Sequence, residues 1–291
     1  LAPYTKDFSD RTMAYVPPSK IFIIDENRKL SKPYTYNYIR NFDEENLRIT
    51  YDFDRSQKHY VKFFAKGQPY KFLGIIPMER HLITTDADGR LFLLGTDING
   101  RDVFSRLLFG GRISMTIGFL ALFVLFPIGL LYGGIAGYFG GIVDTLMMRF
   151  AEAVMSIPSF YLLIILASIL PSGMTSIQRF MLIVIILALI GWAGFARVVR
   201  GMVLSIKNQE FVQAAKSIGA SRLRIIIKHI LPQTASFVIV AMTLSVPSYI
   251  LSESGLSFLG LGIQQPDASW GNMLKEAQEY TNIIYRPWLL T

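Results

Sequence analysis

The side chains that most often carry chemistry are sparse in this sequence. It has no cysteine, which excludes a thiolate nucleophile, a disulfide scaffold and a cysteine zinc site. The three histidines, His59, His81 and His229, are scattered. His59 and His81 read as surface residues, and His229 as lying near a membrane face. No metal site is expected, and no Ser/His/Asp arrangement stands at triad spacing. No Gly-x4-Gly-Lys-Ser/Thr loop is present to cradle a nucleotide phosphate. The pattern that remains is Glu210-Phe-Val-Gln-Ala-Ala-Lys-Ser-Ile-Gly-Ala-Ser-Arg-Leu-Arg-Ile-Ile-Ile-Lys-His-Ile-Leu-Pro232. Asn208 is placed to cap a helix over about 209–218, and Gly219 to end it in the left-handed conformation. Ser221 is placed to cap the next helix. Ala215 and Gly219, four apart, share one face, and small residues on one face let another protein approach closely. An amphipathic interfacial helix explains Lys216 and the arginines, but not the small face.

The elements around this segment follow from the distribution of charge. The 291 residues are 52% hydrophobic and only 17% charged, against about 25% for a soluble domain. No charged side chain occurs in 113–143, 153–178, 180–196 or 229–252. A membrane helix needs about 20 such residues, so four spans are expected near 113–136, 145–170, 179–199 and 229–252. Pro and Gly inside them (Pro127, Gly129, Gly133, Pro158, Gly191, Gly194, Pro247) suit membrane helices better than soluble ones. The sequence begins at Leu1 without a Met and ends as an apolar run opens near Tyr285, so it reads as a fragment with a fifth span starting there. Between 197 and 228, seven basic residues face the lone acid Glu210, which places this segment in the cytoplasm. Residues 1–110 and about 254–284 then lie outside. The net charge of +8 fits loops at an anionic membrane surface, not nucleic acid.

Residues 1–110 are polar and mixed. Lys20–Ile24, Leu47–Tyr51, Tyr60–Phe64 and Tyr70–Leu73 read as strands, with turns at Lys66–Pro69 and Asp86-Ala87-Asp88-Gly89. The aromatics Tyr34, Tyr36, Tyr38, Phe42, Tyr51 and Phe53 could grip a partner, but their alternation suits a small β core. Among charges at the spans, Asp144, Arg149 and Glu152 read as loop-end groups, with Arg149 three residues from Glu152. Glu253 is read two ways. It attracts the amino terminus of a peptide, or it caps the nearby turn, which polar groups more often do.

Gln213-Ala214-Ala215, Gly219 and Leu231-Pro232 keep their spacing over twenty residues, and the stretch resembles the signature cytoplasmic loop of ABC importer permeases. Gln213 stands where that family usually has Glu, and His229 where many members have Ile. Further motifs resemble the dipeptide/oligopeptide/nickel branch: Leu94-Gly95-Thr96-Asp97, Gly100-Arg101-Asp102, Ser105 to Gly110, Gly137 to Gly141 with Asp144, Arg149 and Pro158, and Leu256 to Gly262 with Pro266 and Ala268 to Gly271. The resemblance covers about 94–291, and the segment before it looks enlarged for that branch.

The resemblance implies a mainly α, polytopic transmembrane bundle of the type I importer kind. A small mainly-β extracytoplasmic module occupies 1–110 and the permease domain 111–291, with the coupling loop at about 200–228. It implies a multi-pass inner-membrane subunit, not an enzyme, forming half of a path for peptides. The expected partners are a second permease, two ATP-binding subunits that bind the ATP and Mg, and an extracytoplasmic substrate-binding protein. This chain itself would hold no cofactor. Gln213, Ala214, Ala215, Gly219, Leu231 and Pro232 would form the docking and coupling surface, and Glu253 is the one candidate for the substrate path. Nickel chelates or oligosaccharides are alternative cargoes. A membrane-anchored receptor is the alternative class, and it leaves the 213–232 spacing unexplained.

Overall fold

The computed structural model describes residues 2–25, 28–44, 48–72, 76–86, 88–171 and 173–290. Leu47, Leu73 and Ala87, each part of an expected strand or turn, lie outside the described residues. The chain divides into two compact units, Leu1–Arg112 with Gln265–Thr291, and Ile113–Gln264. The last 27 of the chain's residues group with the N-terminal unit.

The first unit is built on a three-stranded antiparallel sheet, β1 (Phe22–Ile24), β2 (Leu30–Asp43) and β3 (Arg48–Tyr60), with β2 central. Tyr38 pairs Phe53 and Tyr34 pairs Tyr60 across β2 and β3. The alternating aromatics of β2 bury Tyr34, Tyr36 and Tyr38, and their rings meet Phe22, Tyr51 and Phe53. They build the core, as their spacing suggests; Phe42 stays exposed. The opposite face of β2 is covered too. Thr35 pairs His59 there, and Asn37 accepts a hydrogen bond from the Arg90 N–H at 2.8 Å. His59 is therefore buried at 3% exposure, and His81 at 1%, against the expectation of surface histidines. The His81 ring lies tilted 5.0 Å from the Tyr70 ring and bonds the Ala2 carbonyl. Two short antiparallel pairs complete the β structure, β4 (Lys62–Phe63) with β7 (Ile83–Thr84), and β5 (Lys66–Phe72) with β6 (Ile76–Arg80).

The returning segment 265–290 joins this unit through close backbone approach. The Trp270 indole N–H donates to the Leu107 carbonyl at 3.1 Å. A Cβ on Gly110 would lie 3.2 Å from the Ser269 backbone, and one on Gly111 would lie 2.8 Å from the Trp270 ring. Ser269 and Asn272 form a capping box at the start of a helix over Trp270–Ala277. Near the chain end, where a fifth span is expected to open, Pro287–Leu290 form a 3-10 turn.

The second unit is helical. α1 (Val103–Phe139) carries the unit boundary within its length; α2 (Gly141–Met155), α3 (Ser159–Ser168) and α4 (Ser176–Ile206) follow. Next come α5 (Glu210–Ser217), α6 (Arg222–Ile225), a π turn at Ile226–Ile230, a 3-10 turn at Leu231–Thr234 and α7 (Ala235–Phe258). Among the described residues, Val103–Phe139, Ser176–Ile206 and Arg222–Phe258 are long and apolar enough to cross a membrane. The second expected span is not straight. α2 and α3 meet at 74° and make a fourth crossing only as one broken element. The break follows from Ile157-Pro158, since a residue before proline is pushed out of the helical region and proline has no N–H to donate.

Gly129, Gly133 and Gly137 line the buried face of α1 against α4. A Cβ on Gly133 would overlap the Ala196 carbonyl oxygen, and one on Gly137 would sit 2.8 Å from the Arg200 carbonyl oxygen. Lipid gives two apolar helices no hydrophobic reason to associate, so close backbone approach over small residues supplies the packing.

Candidate functional site

α5 is the element that holds the candidate site. Its N-cap is Gln209, not the expected Asn208, and no side chain caps it; backbone bonds from Val212 and Gln213 to the Gln209 carbonyl close the first turn. At the other end Gly219 takes φ +78°, its N–H reaching the Lys216 carbonyl while the Ala220 N–H reaches Ala215. This is the αL termination that only glycine adopts without strain. A Cβ on Gly219 would meet nothing within 4 Å, so the dihedral demands glycine there, not packing within the chain. Ser221 holds the N-cap position of α6 without a side-chain bond.

The small residues divide between two faces. Val212 and Ala215 are buried in a cluster with Val199, Val203, Ile206, Ile225 and Ile230. Gln213, Ala214 and Gly219 are exposed, flanked by Phe211 and by Ile218 at 84% exposure. The face expected to be shared by Ala215 and Gly219 is therefore split: Ala215 anchors the helix, while Gln213, Ala214 and Gly219 are presented. Leu231 is half-buried against Gly134 and packs on the same cluster. Pro232 is exposed in the 3-10 turn and lacks the N–H that an α-helix would use there. These two residues seat the joint between the loop and α7.

Cations tie α4 to α2 and the loop to the end of α1. Arg200 grips Asp144 with two nitrogens, its Nε at 2.9 and 3.2 Å from the two carboxylate oxygens. The Lys207 ammonium donates to the Gly137 carbonyl at 2.9 Å. Lys216 lies 5.6 Å from the centre of the Tyr138 ring, and Arg222 lies 5.6 Å from that of Phe139. Asp144 is thus a buried partner of a residue 56 positions away, not a loop-end charge. Arg149 does pair with Glu152, at 3.1 Å on the surface.

Glu253 is fully buried. It accepts the Ser257 hydroxyl hydrogen at 2.6 Å, and the Ser257 oxygen accepts the Ile263 N–H at 3.0 Å. Through Ser257 the carboxylate holds the turn after α7, the contact that the capping reading expects. Nearby is a cavity of about 420 Å³ lined in part by Ile157, Ser159, Phe160, Gly191, Tyr249 and Ser252.

In the first unit, residues of the Leu94–Asp97 and Gly100–Asp102 motifs belong to a buried charge cluster. Asp97 accepts from the Arg101 Nε at 2.6 Å and lies 3.3 Å from the Arg106 Nε. Glu276 stands 4.0 Å from Arg101. Asp102 accepts the Ser105 N–H at 2.7 Å at the start of α1, an N-cap contact that the Asp-x-x-Ser spacing announces. Burial pushes the Asp102 carboxyl up to about 7, with Asp97 adding to the rise and the Ser105 bonds opposing it. Burial likewise raises the Glu276 carboxyl. A buried network of this kind is weak evidence for net stability and serves geometry instead.

Residues 129–289 match the family model described as binding-protein-dependent transport system inner membrane component. The chain is 48% identical over 182 residues to the dipeptide transport system permease protein of Bacillus subtilis (strain 168), covering 62% of this chain and 55% of that relative. It is 45% identical over 196 residues to the oligopeptide transport system permease protein of Haemophilus influenzae, covering 67% and 60%. With the glutathione transport system permease protein of Escherichia coli O6:K15:H31 the identity is 42% over 184 residues, covering 63% and 59%. The matches therefore span less than two thirds of each relative's length.

Proposed function

The chain belongs to the binding-protein-dependent transport system inner membrane components, and from that premise we propose that it is a permease subunit of an ATP-driven peptide importer. The observation that carries the reading is α5, a short helix with Gln213, Ala214 and Gly219 presented outward while Val212 and Ala215 anchor it. Such an element moves as a unit. A partner that grips its outer face moves the joint at Leu231-Pro232 and, through Lys207, Lys216 and Arg222, the end of α1. That is the requirement for rigid-body alternating access.

The ATP-binding partners would dock on α5 and hydrolyse ATP, and this chain would supply no catalytic group. The basic segment 197–228 would face the cytoplasm, with the β module and the 254–284 segment outside, within reach of a substrate-binding protein. A second permease would complete the path. The apolar stretch of Arg222–Phe258 is only 6% buried, against 44% and 50% for the two other long spans, so α7 has a face to offer such a neighbour or lipid. Peptides are favoured over nickel chelates and oligosaccharides because the relatives just described are peptide and glutathione permeases by name.

The test is ATP-dependent uptake of labelled peptides into vesicles holding the full-length chain and its three kinds of partner. Gly219→Asp serves as the control. Gly219→Asp strains the left-handed turn and, because the space around Gly219 is open, adds a charged side chain to the outer face. Loss of uptake in this variant, with the chain still folded, supports the reading. Normal uptake refutes it.

A further inference from the structure

A helix that stops leaves its last carbonyls and first N–H groups without partners along the helix. The α2–α3 element stops inside an apolar stretch. Ser156 makes the last backward bond, its N–H to the Glu152 carbonyl at 2.9 Å. Pro158 stands at the N-cap of α3 and offers no side-chain acceptor. Residues 155–160 are all exposed. Non-helical backbone at membrane depth is stable only where protein buries it or where it lines a water-filled cavity. The break does open on a cavity, the one of about 420 Å³ between α2–α3, α4 and α7.

The lining of that cavity has a definite chemistry. Among the described residues it contains no charged side chain, and its polar groups are the hydroxyls of Ser159, Ser248, Ser252 and Tyr249 beside the broken backbone. The Ser252 hydroxyl donates to the Ser248 carbonyl at 2.9 Å and keeps its lone pairs for an incoming donor. Tyr249 lies across α4 at Gly191, where a Cβ would overlap its hydroxyl oxygen; glycine is what lets the phenol reach into the space. Neutral donors and acceptors of both kinds match an amide, which carries one of each. The size falls within the range of ligand sites.

Taking the peptide importer as the premise, we propose that this cavity is a hydrated site for the main chain of the transported peptide. The broken backbone and the Tyr249 and serine hydroxyls would bond its amides. With no charge in the lining, the site reads the backbone and leaves side-chain charge unread. Glu253, one turn from Tyr249, is turned inward to Ser257 and takes no part.

The chain's lack of cysteine makes single-cysteine labelling direct. Gly194→Cys and Ile157→Cys place thiols in the cavity wall, and a Cβ on Gly194 meets only the Met155 sulfur at 3.8 Å. Phe123→Cys, at a position 71% exposed on the apolar surface of α1, is the lipid-facing control. A charged, membrane-impermeant methanethiosulfonate is applied from either side of vesicles holding the whole complex, with and without trialanine, and trialanine uptake is measured on the same vesicles. The cavity thiols should react while Phe123→Cys does not. Trialanine at about ten times its Kd should slow that reaction about tenfold, the factor by which occupancy reduces the empty site. Tyr249→Phe, which loses one hydroxyl, should raise the trialanine concentration needed for half protection several-fold. Unreactive cavity thiols would show a sealed break and overturn the proposal. Reactive thiols that trialanine leaves unprotected, in vesicles that import it, would overturn the cargo site alone. Protection without ATP-dependent uptake would uphold the site and strike the importer reading instead.

Discussion

Gly137 on α1 lies in van der Waals contact with α4, and replacing it by alanine converts that contact into a measurable displacement. The added Cβ would stand 2.8 Å from the Arg200 carbonyl oxygen, 2.8 Å from the Val203 Cβ and 3.0 Å from its Cγ1. Carbon atoms rest at about 3.5–4.0 Å, so α1 must retreat by roughly 0.7 Å or more. Overpacking of this order costs about 1–3 kcal/mol. Alanine also regains about 1 kcal/mol of helix propensity over glycine, so a matched control is needed. Gly201→Ala on exposed α4 provides it, since a Cβ there meets nothing within 4 Å and only the propensity gain remains. The difference between the two variants isolates the packing cost at about 1–3 kcal/mol. At about 2–4 °C per kcal/mol for a chain of this size, Gly137→Ala should melt about 2–12 °C below Gly201→Ala. The assay is thermal unfolding in detergent followed by tryptophan fluorescence. Gly133→Ala, whose Cβ would overlap the Ala196 carbonyl, should be at least as damaging. Equal melting of all three variants would refute the claim that glycine is needed for the α1–α4 approach.

Asp144→Asn leaves Arg200 without its bidentate carboxylate and should lower stability by about 1–2 kcal/mol, the low end for a charge-assisted pair because Arg200 is partly solvated; urea titration of the purified chain checks it. Glu253→Ala removes the acceptor of the buried Ser257 hydroxyl and should cost about 1–3 kcal/mol, while Glu253→Gln, which keeps an acceptor oxygen, should cost less. The folded Asp102 carboxyl titrates near 7 against an ordinary 3.8, so the folded chain holds a proton that the unfolded chain has released. Stability from this group is full below about pH 4 and falls as pH rises through 7, by up to about 4 kcal/mol. Melting at pH 5 and pH 8 should differ by less in Asp102→Asn than in the unmodified chain.

Parts of this architecture are written locally and others only through contacts. The α5 turn is legible because φ +78° at Gly219 is a property of one residue type. The aromatic core of β2 is legible because strand alternation places Tyr34, Tyr36 and Tyr38. The burial of Ala215 is less legible, because small size suits a docking face as well as the Val212–Ala215 stripe of an amphipathic helix. The break at Ile157-Pro158 was signalled by proline, but an uncharged run of residues reads as a straight span when tolerance of proline is assumed. Gly129-x3-Gly133-x3-Gly137 carried a packing signal that counting glycines as tolerated residues passed over. The buried His59 and the Asp144–Arg200 pair depend on residues far apart in sequence, which no local pattern contains. The same holds for the return of 265–290 to the first unit, which rests on the fit of Trp270 to Gly111.

The central claim is that the outer face of α5 meets an ATP-binding subunit while its inner face does not. Single cysteines at Gln213, Ala214 and Ala215, in the assembled complex and treated with a short thiol-to-amine cross-linker, test it most directly. Gln213→Cys and Ala214→Cys should cross-link to the ATP-binding subunit, and Ala215→Cys, buried at 4% exposure, should not. Cross-linking at Ala215 alone, or at none of the three in a complex that still copurifies, would contradict it.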